Sequence, residues 1–228
     1  MRNRLKLPQG LLEGLVSSRE SRIDEHWIRV DPDWWANALS HHGLPAVPLQ
    51  VTFDDSGRPG ISRATVFGIN AQGTAEPDLS LLIHSLAWGG GLKYRQMRKR
   101  LSTFSVDIDG AVDALAEAAE ASRTDPASAY EVLYPAGRTR VKYLGPAFFT
   151  KVLYFAGGGA PSHPCLILDA RTSSALKGFG WDGLGTTGWS ASTYARYCEQ
   201  LRGWADQAAS SLGRPVAADE IERWLFDR

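Results

Sequence analysis

Apolar residues recur at helical spacing along most of this chain and almost nowhere alternate at strand spacing. Leu79, Leu82, Ile83 and Leu86 share one face of a helix predicted over 78–88. Tyr194, Tyr197, Cys198, Leu201, Trp204, Ala205 and Ala208 share a face of a longer one over 192–212. Asp31-Pro32 and Asp125-Pro126 each set a capping carboxylate before a proline at the first helical position, opening helices that end near Gly43 and Leu133. Further helices are predicted at 62–69, 111–122, 147–156, 169–176 and 218–226, with Gly157-Gly158-Gly159 stopping the third of these. Prolines, glycines and Asp54-Asp55 between Pro45 and Gly60 make a loop, and Leu49 to Phe53 is the one candidate strand. The glycines from Gly178 to Gly188 make a second long loop. The expected class is all-α, with little or no strand.

One polar residue breaks this pattern in a chemically useful place. Lys151 interrupts the apolar run from Ala147 to Ala156, so in a packed helix its amine must reach a cavity or snorkel to water. Asp169 ends the short apolar segment Cys165 to Leu168 and opens the next helix. As an N-cap, Asp169 would accept backbone N–H bonds that keep it ionised. An amine and a carboxylate held together in a partly dry pocket suit attack on C1′ of a nucleotide, in which the amine displaces the base and the carboxylate stabilises positive charge on the sugar. The amine attacks only when unprotonated, which requires desolvation or nearby positive charge. Taken singly, Lys151 also reads as a snorkelling lysine and Asp169 as an ordinary cap.

The stretch LGPAFFTKVLYFAGGGAPSHPCLILD, Leu144 to Asp169, resembles the helix-hairpin-helix DNA glycosylases, in particular the 8-oxoguanine glycosylase group. Thr150-Lys151-Val152 and the aspartate eighteen residues after the lysine carry the resemblance. Ala87-Trp88-Gly89-Gly90-Gly91 before a basic helix, and the tail from Trp189 through Tyr194 and Tyr197 to Leu225-Phe226, look like a bacterial branch of the same fold. The resemblance covers about the C-terminal two-thirds of the chain. It implies a two-lobed helix-hairpin-helix glycosylase fold, with residues 1–228 as a single glycosylase-like domain and possible lobes 1–109 and 110–228. It further implies that Lys151 is the nucleophile that forms a Schiff base with the sugar and that Asp169 assists. One departure stands out. The hairpin usually reads Pro-Gly-x-Gly, where glycines let backbone amides approach a phosphate, and this chain has Pro146-Ala147-Phe148-Phe149. Gly145 is then the candidate to supply the turn.

Charge tempers the nucleic-acid reading, because 25 basic residues balance 25 acidic ones, whereas bulk attraction to a phosphate backbone favours a basic protein. A neutral total can still hide a basic face, and Lys93, Arg95, Arg98, Lys99 and Arg100 put five cations within eight residues. Lys93, Arg100, Arg140, Gly145 and Arg171 are the candidate DNA contacts; a solvated face is the alternative for the basic run, and for Arg171 as well. Among eight tryptophans, Trp88, Trp181 and Trp189 invite a base-stacking role, with Trp88 and Trp181 the candidates for a base pocket and a core position the ordinary alternative.

Two cysteines, Cys165 and Cys198, build neither a disulfide framework nor an iron–sulfur cluster and suit a reducing cytoplasm. The N-terminus MRNRLKLPQG has charge without a following apolar core, so no leader and no membrane association is expected. His41-His42, His84 and His163 lack metal-ligand spacing, so neither a metal nor any other cofactor is expected. Gly178-Phe179-Gly180-Trp181-Asp182-Gly183 has the letters of a dinucleotide fingerprint but lacks the strand before and the helix after. The expected protein is a monomeric, cytoplasmic glycosylase and AP lyase that takes 8-oxoguanine, or another damaged or modified base, from double-stranded DNA. Two alternatives stay open: a non-catalytic sensor of modified bases such as those of phage DNA, and a helical protein-interaction module.

Overall fold

The computed structural model describes residues 5–69 and 77–228, and the first four residues, which entered the reading of the N-terminus, lie outside it. Ten α-helices among the described residues form the bulk of the molecule, in agreement with the all-α class. Capping explains where several begin. Asp31 accepts from the Trp34 amide at 2.9 Å to start α1 (Pro32–His41), and Ser62 accepts from the Thr65 amide at 3.1 Å to start α2 (Arg63–Gly68). The apolar helix α3 (Pro77–Gly90) leads through Gly91, at φ +52°, into the basic helix α4 (Tyr94–Phe104). Asp107 caps α5 (Ile108–Ala121) through the Gly110 amide, which starts it ahead of the predicted Ala111. Asp125 caps α6 (Pro126–Leu133), after which come α7 (Pro146–Phe155), α8 (Ala170–Gly178), α9 (Ala191–Leu212) and α10 (Ala218–Phe226).

A small antiparallel sheet joins the N-terminal part, with β3 (Pro59–Ser62) between β1 (Trp27–Arg29) and β2 (Thr52–Phe53). The predicted strand at 49–53 shrinks to its last two residues, and two strands arise where none was expected. Pro59-Gly60 reads as a turn, yet Gly60 serves a strand because the Trp27 indole lies directly against it, where any Cβ would collide.

The path into α7 differs from expectation. After a short 3₁₀ turn at Pro135–Gly137 the chain runs without helix to Gly145, and the left-handed conformations fall at Ala136, Gly137 and Tyr143. Gly145 does not make the turn. It is extended (φ −75°, ψ 171°), precedes Pro146 as the N-cap of α7, and has open space where a Cβ would stand.

One continuous apolar core runs through the molecule, from Trp35 and Leu82 to Phe155, Tyr197 and Trp204. Within it the segment 165–168 is buried and belongs to no helix or strand. Side chains take the place of the ladder. The Tyr194 hydroxyl donates to Leu166 O at 2.8 Å and accepts from its amide, Tyr197 donates to Ile167 O at 2.7 Å, and Thr150 accepts from the Leu168 amide at 3.2 Å. These bonds fix the residue before Asp169 against α7, one position from Lys151.

Candidate active site

Lys151 projects from α7, and its side chain folds back toward the helix N-terminus, as helical side chains do. Its Nζ donates to Ala147 O at 2.6 Å and stands 3.9 Å from Asp169 Oδ2, too far for a hydrogen bond. The residue is 7% exposed. Burial pushes the amine below the ordinary lysine range; Asp169 and Glu222 pull the other way without offsetting it, and Arg63 and Arg100 add to the depression.

Asp169 is the N-cap of α8, as its place in the sequence predicted. Its Oδ1 accepts from the Arg171 and Thr172 amides at 3.0 and 3.1 Å, and the Thr172 hydroxyl closes a capping box by accepting from the Asp169 amide. One carboxylate oxygen is therefore committed to the helix while the other faces the lysine. The N-termini of α7 and α8 converge here, which suits negative charge on an incoming group.

A cavity of about 310 Å³ opens at this point. Ile28, Trp88, Phe148, Ile167 and Phe226 give it apolar walls, and His26, Arg63, Lys151, Asp169 and Glu222 give it polar groups. Gly89 makes room for the lysine, since a Cβ there would stand 2.6 Å from Lys151 Cδ and 3.0 Å from Cε. Arg63 and Glu222, both in the cavity lining and almost completely buried, pair at 2.9 Å. Burial works against the Arg63 charge, but Glu222 and the Tyr154 hydroxyl outweigh it and raise its pKa. Burial also pushes the His26 imidazole down to about 3, with Arg63 and Arg223 contributing, so that ring is neutral.

Of the residues singled out in the sequence, Trp88, Lys93, Lys151, Asp169 and Arg171 border this cavity. Trp88 donates from Nε1 to His26 O at 3.2 Å, and Arg171 lies 4.2 Å from the centre of the Phe226 ring. Arg100 packs over Phe148 at 3.7 Å and donates to Gln96 O. Gly145 sits at the start of α7, as the N-cap of the helix that carries the lysine. Arg140 is elsewhere, paired with Glu117 at 2.7 Å on the surface. Trp181 does not border the cavity and lies buried beneath Arg196, and Trp189 is buried with its Nε1 donating to Gly185 O. His26, Arg63 and Glu222 escaped sequence reasoning, and Gly89 entered it only within the Ala87–Gly91 stretch. For Arg63 and Glu222 no local signal exists, since the two partners are 159 residues apart.

Among the described residues no group of three His, Cys, Asp or Glu side chains could hold a metal ion, and no helix is long and apolar enough to cross a membrane. Residues 21–226 match the family described as "Putative 8-oxoguanine DNA glycosylase OGG-like protein", a wider span than the C-terminal two-thirds that carries the resemblance in sequence. No curated protein and no solved structure matches the chain. With all the helices that border the cavity inside that span, the protein belongs to the OGG-like DNA glycosylase family, and its function is of the DNA glycosylase type, with DNA as its substrate.

Proposed function

We propose that the cavity between the 1–109 and 110–228 parts of the chain receives a base flipped from duplex DNA, and that Lys151 displaces it. The observation that supports this reading is a buried amine with a lowered pKa beside a carboxylate that the amides of its own helix hold in place. The Lys151 nitrogen lone pair forms a bond to C1′ while the N-glycosidic bond breaks, and the base leaves with that electron pair and takes up a proton. Asp169 Oδ2 stabilises positive charge on the sugar during this step. Opening of the sugar ring then gives an imine between Lys151 and C1′, and removal of a C2′ proton expels the 3′ phosphate by β-elimination, which is the AP lyase step. Oxidised guanine is the substrate the family description favours, and Lys93, Arg171, Arg100 and the open approach at Gly145 are the proposed backbone contacts.

The test incubates wild type and Lys151→Gln with borohydride and duplexes carrying 8-oxoguanine, an abasic site or no lesion. A covalent protein–DNA band formed by wild type alone is the expected result. Binding without any band or base release would replace the enzyme by a sensor, and base release without a band would leave a monofunctional glycosylase.

A further inference from the structure

A second cleft, of about 530 Å³, lies between α1 and α4, and the proposed chemistry does not use it. The basic helix α4 separates it from the cavity. Met97, Leu101 and Phe104 turn into the core, Lys93 and Gln96 border the cavity, and Arg98 falls on the opposite side of the helix, where it borders the cleft. Arg95 and Lys99 are exposed on the solvent side between these two edges. Basic residues thus run over α4 from one opening to the other.

Across the cleft from Arg98, α1 presents Trp34, Asn37, Ala38 and His41 from one face, followed by its C-cap His42. These walls are fixed against each other. Trp34 stacks on Tyr94 of α4 with ring centres 4.6 Å apart, and the Tyr94 hydroxyl donates to Asp31 at 3.3 Å. Every ionisable group in the lining is a base. Asp31 is spent on Tyr94 and on the cap of α1, and Asp33 lies outside the lining. The exposed Arg123 and Arg140 each hold a glutamate, at 2.9 and 2.7 Å, whereas Arg98 enters no ion pair among the described residues. Burial, His41 and Arg98 together push the His42 imidazole below its ordinary range, which shows how close these bases stand without a counter-charge. Such a surplus attracts an anion.

We propose that the α1–α4 cleft holds a backbone phosphate of the DNA strand that flanks the cavity, with Arg98, His41 and His42 as its basic partners. The inference rests on the flipped-base reading above, which fixes where the DNA lies. Charge and continuity select this occupant. The substrate is DNA, Lys93 stands at the cavity edge of α4, and Arg98 stands at its cleft edge. A helix is about 10–12 Å across with its side chains, a distance that a strand covers in about three nucleotides at roughly 3.4 Å each. The Asn37 amide can donate to a phosphate oxygen, and the Trp34 indole gives the adjoining sugar an apolar face. A contact of this kind carries no base identity and adds affinity and register. It also lets a chain with 25 basic and 25 acidic residues grip a polyanion, because the unpaired cations are gathered on one helix.

The test is equilibrium binding of wild type and Arg98→Gln to a duplex carrying a tetrahydrofuran abasic analogue, which has no base to release and no aldehyde to form an imine. On a long duplex Arg98→Gln should weaken binding about tenfold, as for a hydrogen bond to a charged group. It should also lower the slope of log K against log salt by about one. Arg98→Lys, which keeps the charge, should recover most of that slope. Arg123→Gln removes an equal charge from an exposed ion pair elsewhere and should alter neither quantity. Ending the duplex within about three base pairs of the analogue should erase the difference between wild type and Arg98→Gln on one flank and keep it on the other. An unchanged salt slope, equal losses from Arg98→Gln and Arg123→Gln, or a difference that survives shortening of either flank would each overturn the proposal. Failure of wild type to prefer the analogue over undamaged DNA would remove the flipped-base reading, and the salt slope on the long duplex would still decide whether the cleft holds a phosphate.

Discussion

Arg63 and Glu222 meet at 2.9 Å, whereas Lys151 and Asp169 stand 3.9 Å apart, although both pairs border one cavity and are largely shielded from water. In the first pair the guanidinium is also bonded to Tyr154, and the sum of its contacts outweighs desolvation and keeps the charge. In the second pair the carboxylate spends one oxygen on the cap of α8, and desolvation of the amine prevails. Close partners thus keep the proton on one buried cation, and burial loosens the proton on the other. The difference lies in the count and distance of partners, and it separates a group that holds the site together from one poised to react.

The largest effect should come from breaking the tight pair. Arg63→Met leaves Glu222 buried without a counter-charge, and stability should fall by about 3–5 kcal/mol in denaturant titration. Lys151→Met should behave otherwise. The folded chain holds the Lys151 pKa below its unfolded value, so protonation favours the unfolded state, and the amine costs stability at neutral pH. That cost shrinks as pH rises toward the ordinary lysine range. Replacing the lysine should therefore be neutral or stabilising near pH 7, and a loss as large as that of Arg63→Met would show that the two pairs are alike.

The two pairs also differ in how far the sequence announced them. A lysine inside the run Ala147 to Ala156 violates the apolar pattern, and an aspartate at the start of a helix has a recognisable capping role, so Lys151 and Asp169 stood out. What brings them together was also local in part, since Thr150 beside the lysine bonds Leu168 beside the aspartate. Glu222 sits in α10 among Asp219 and Glu220, and on sequence those three acids look like the solvated face of a terminal helix. All three are buried, because Arg63, Arg19 and Arg214 reach them from far along the chain or across a turn. Capping and helical periodicity are short-range and could be read. Charge pairing across 159 residues and an indole laid against Gly60 are tertiary, and nothing in their neighbourhoods marked them.

Asp169→Asn probes the loose pair from its other side. Asparagine caps a helix nearly as well as aspartate, so stability should change by no more than about 0.5 kcal/mol. Base release in a single turnover should nevertheless slow by about 10²-fold, because the charge that faces the sugar is gone. Equal losses of stability and rate would mean that the carboxylate acts only as a cap.

The proton on Lys151 provides a sharper measure of the same pair. Base release should rise about tenfold per pH unit while the amine is mostly protonated and level off below the usual lysine pKa of 10.5. Asp169 is among the groups that pull that pKa up, so in Asp169→Asn the rise should shift to lower pH even as the plateau drops. A wild-type profile still climbing at pH 10.5 would contradict a desolvated amine.

Gly89→Ala should give the smallest effect and the most local one. The added methyl would stand 2.6 Å from Lys151 Cδ, and the stem of a lysine is flexible enough to move aside, so the fold need not suffer. Alanine is also the better helix former within α3, by up to about 1 kcal/mol, which offsets the crowding. The displaced stem, however, carries Nζ with it, away from the position between Ala147 O and Asp169 Oδ2. Reaction rates are sensitive to placement on the scale of an ångström, so base release should fall roughly tenfold while the melting temperature stays within a few degrees. If Gly89→Ala left the rate intact, the placement of Nζ against Ala147 O and Asp169 Oδ2 would not be what sets base release.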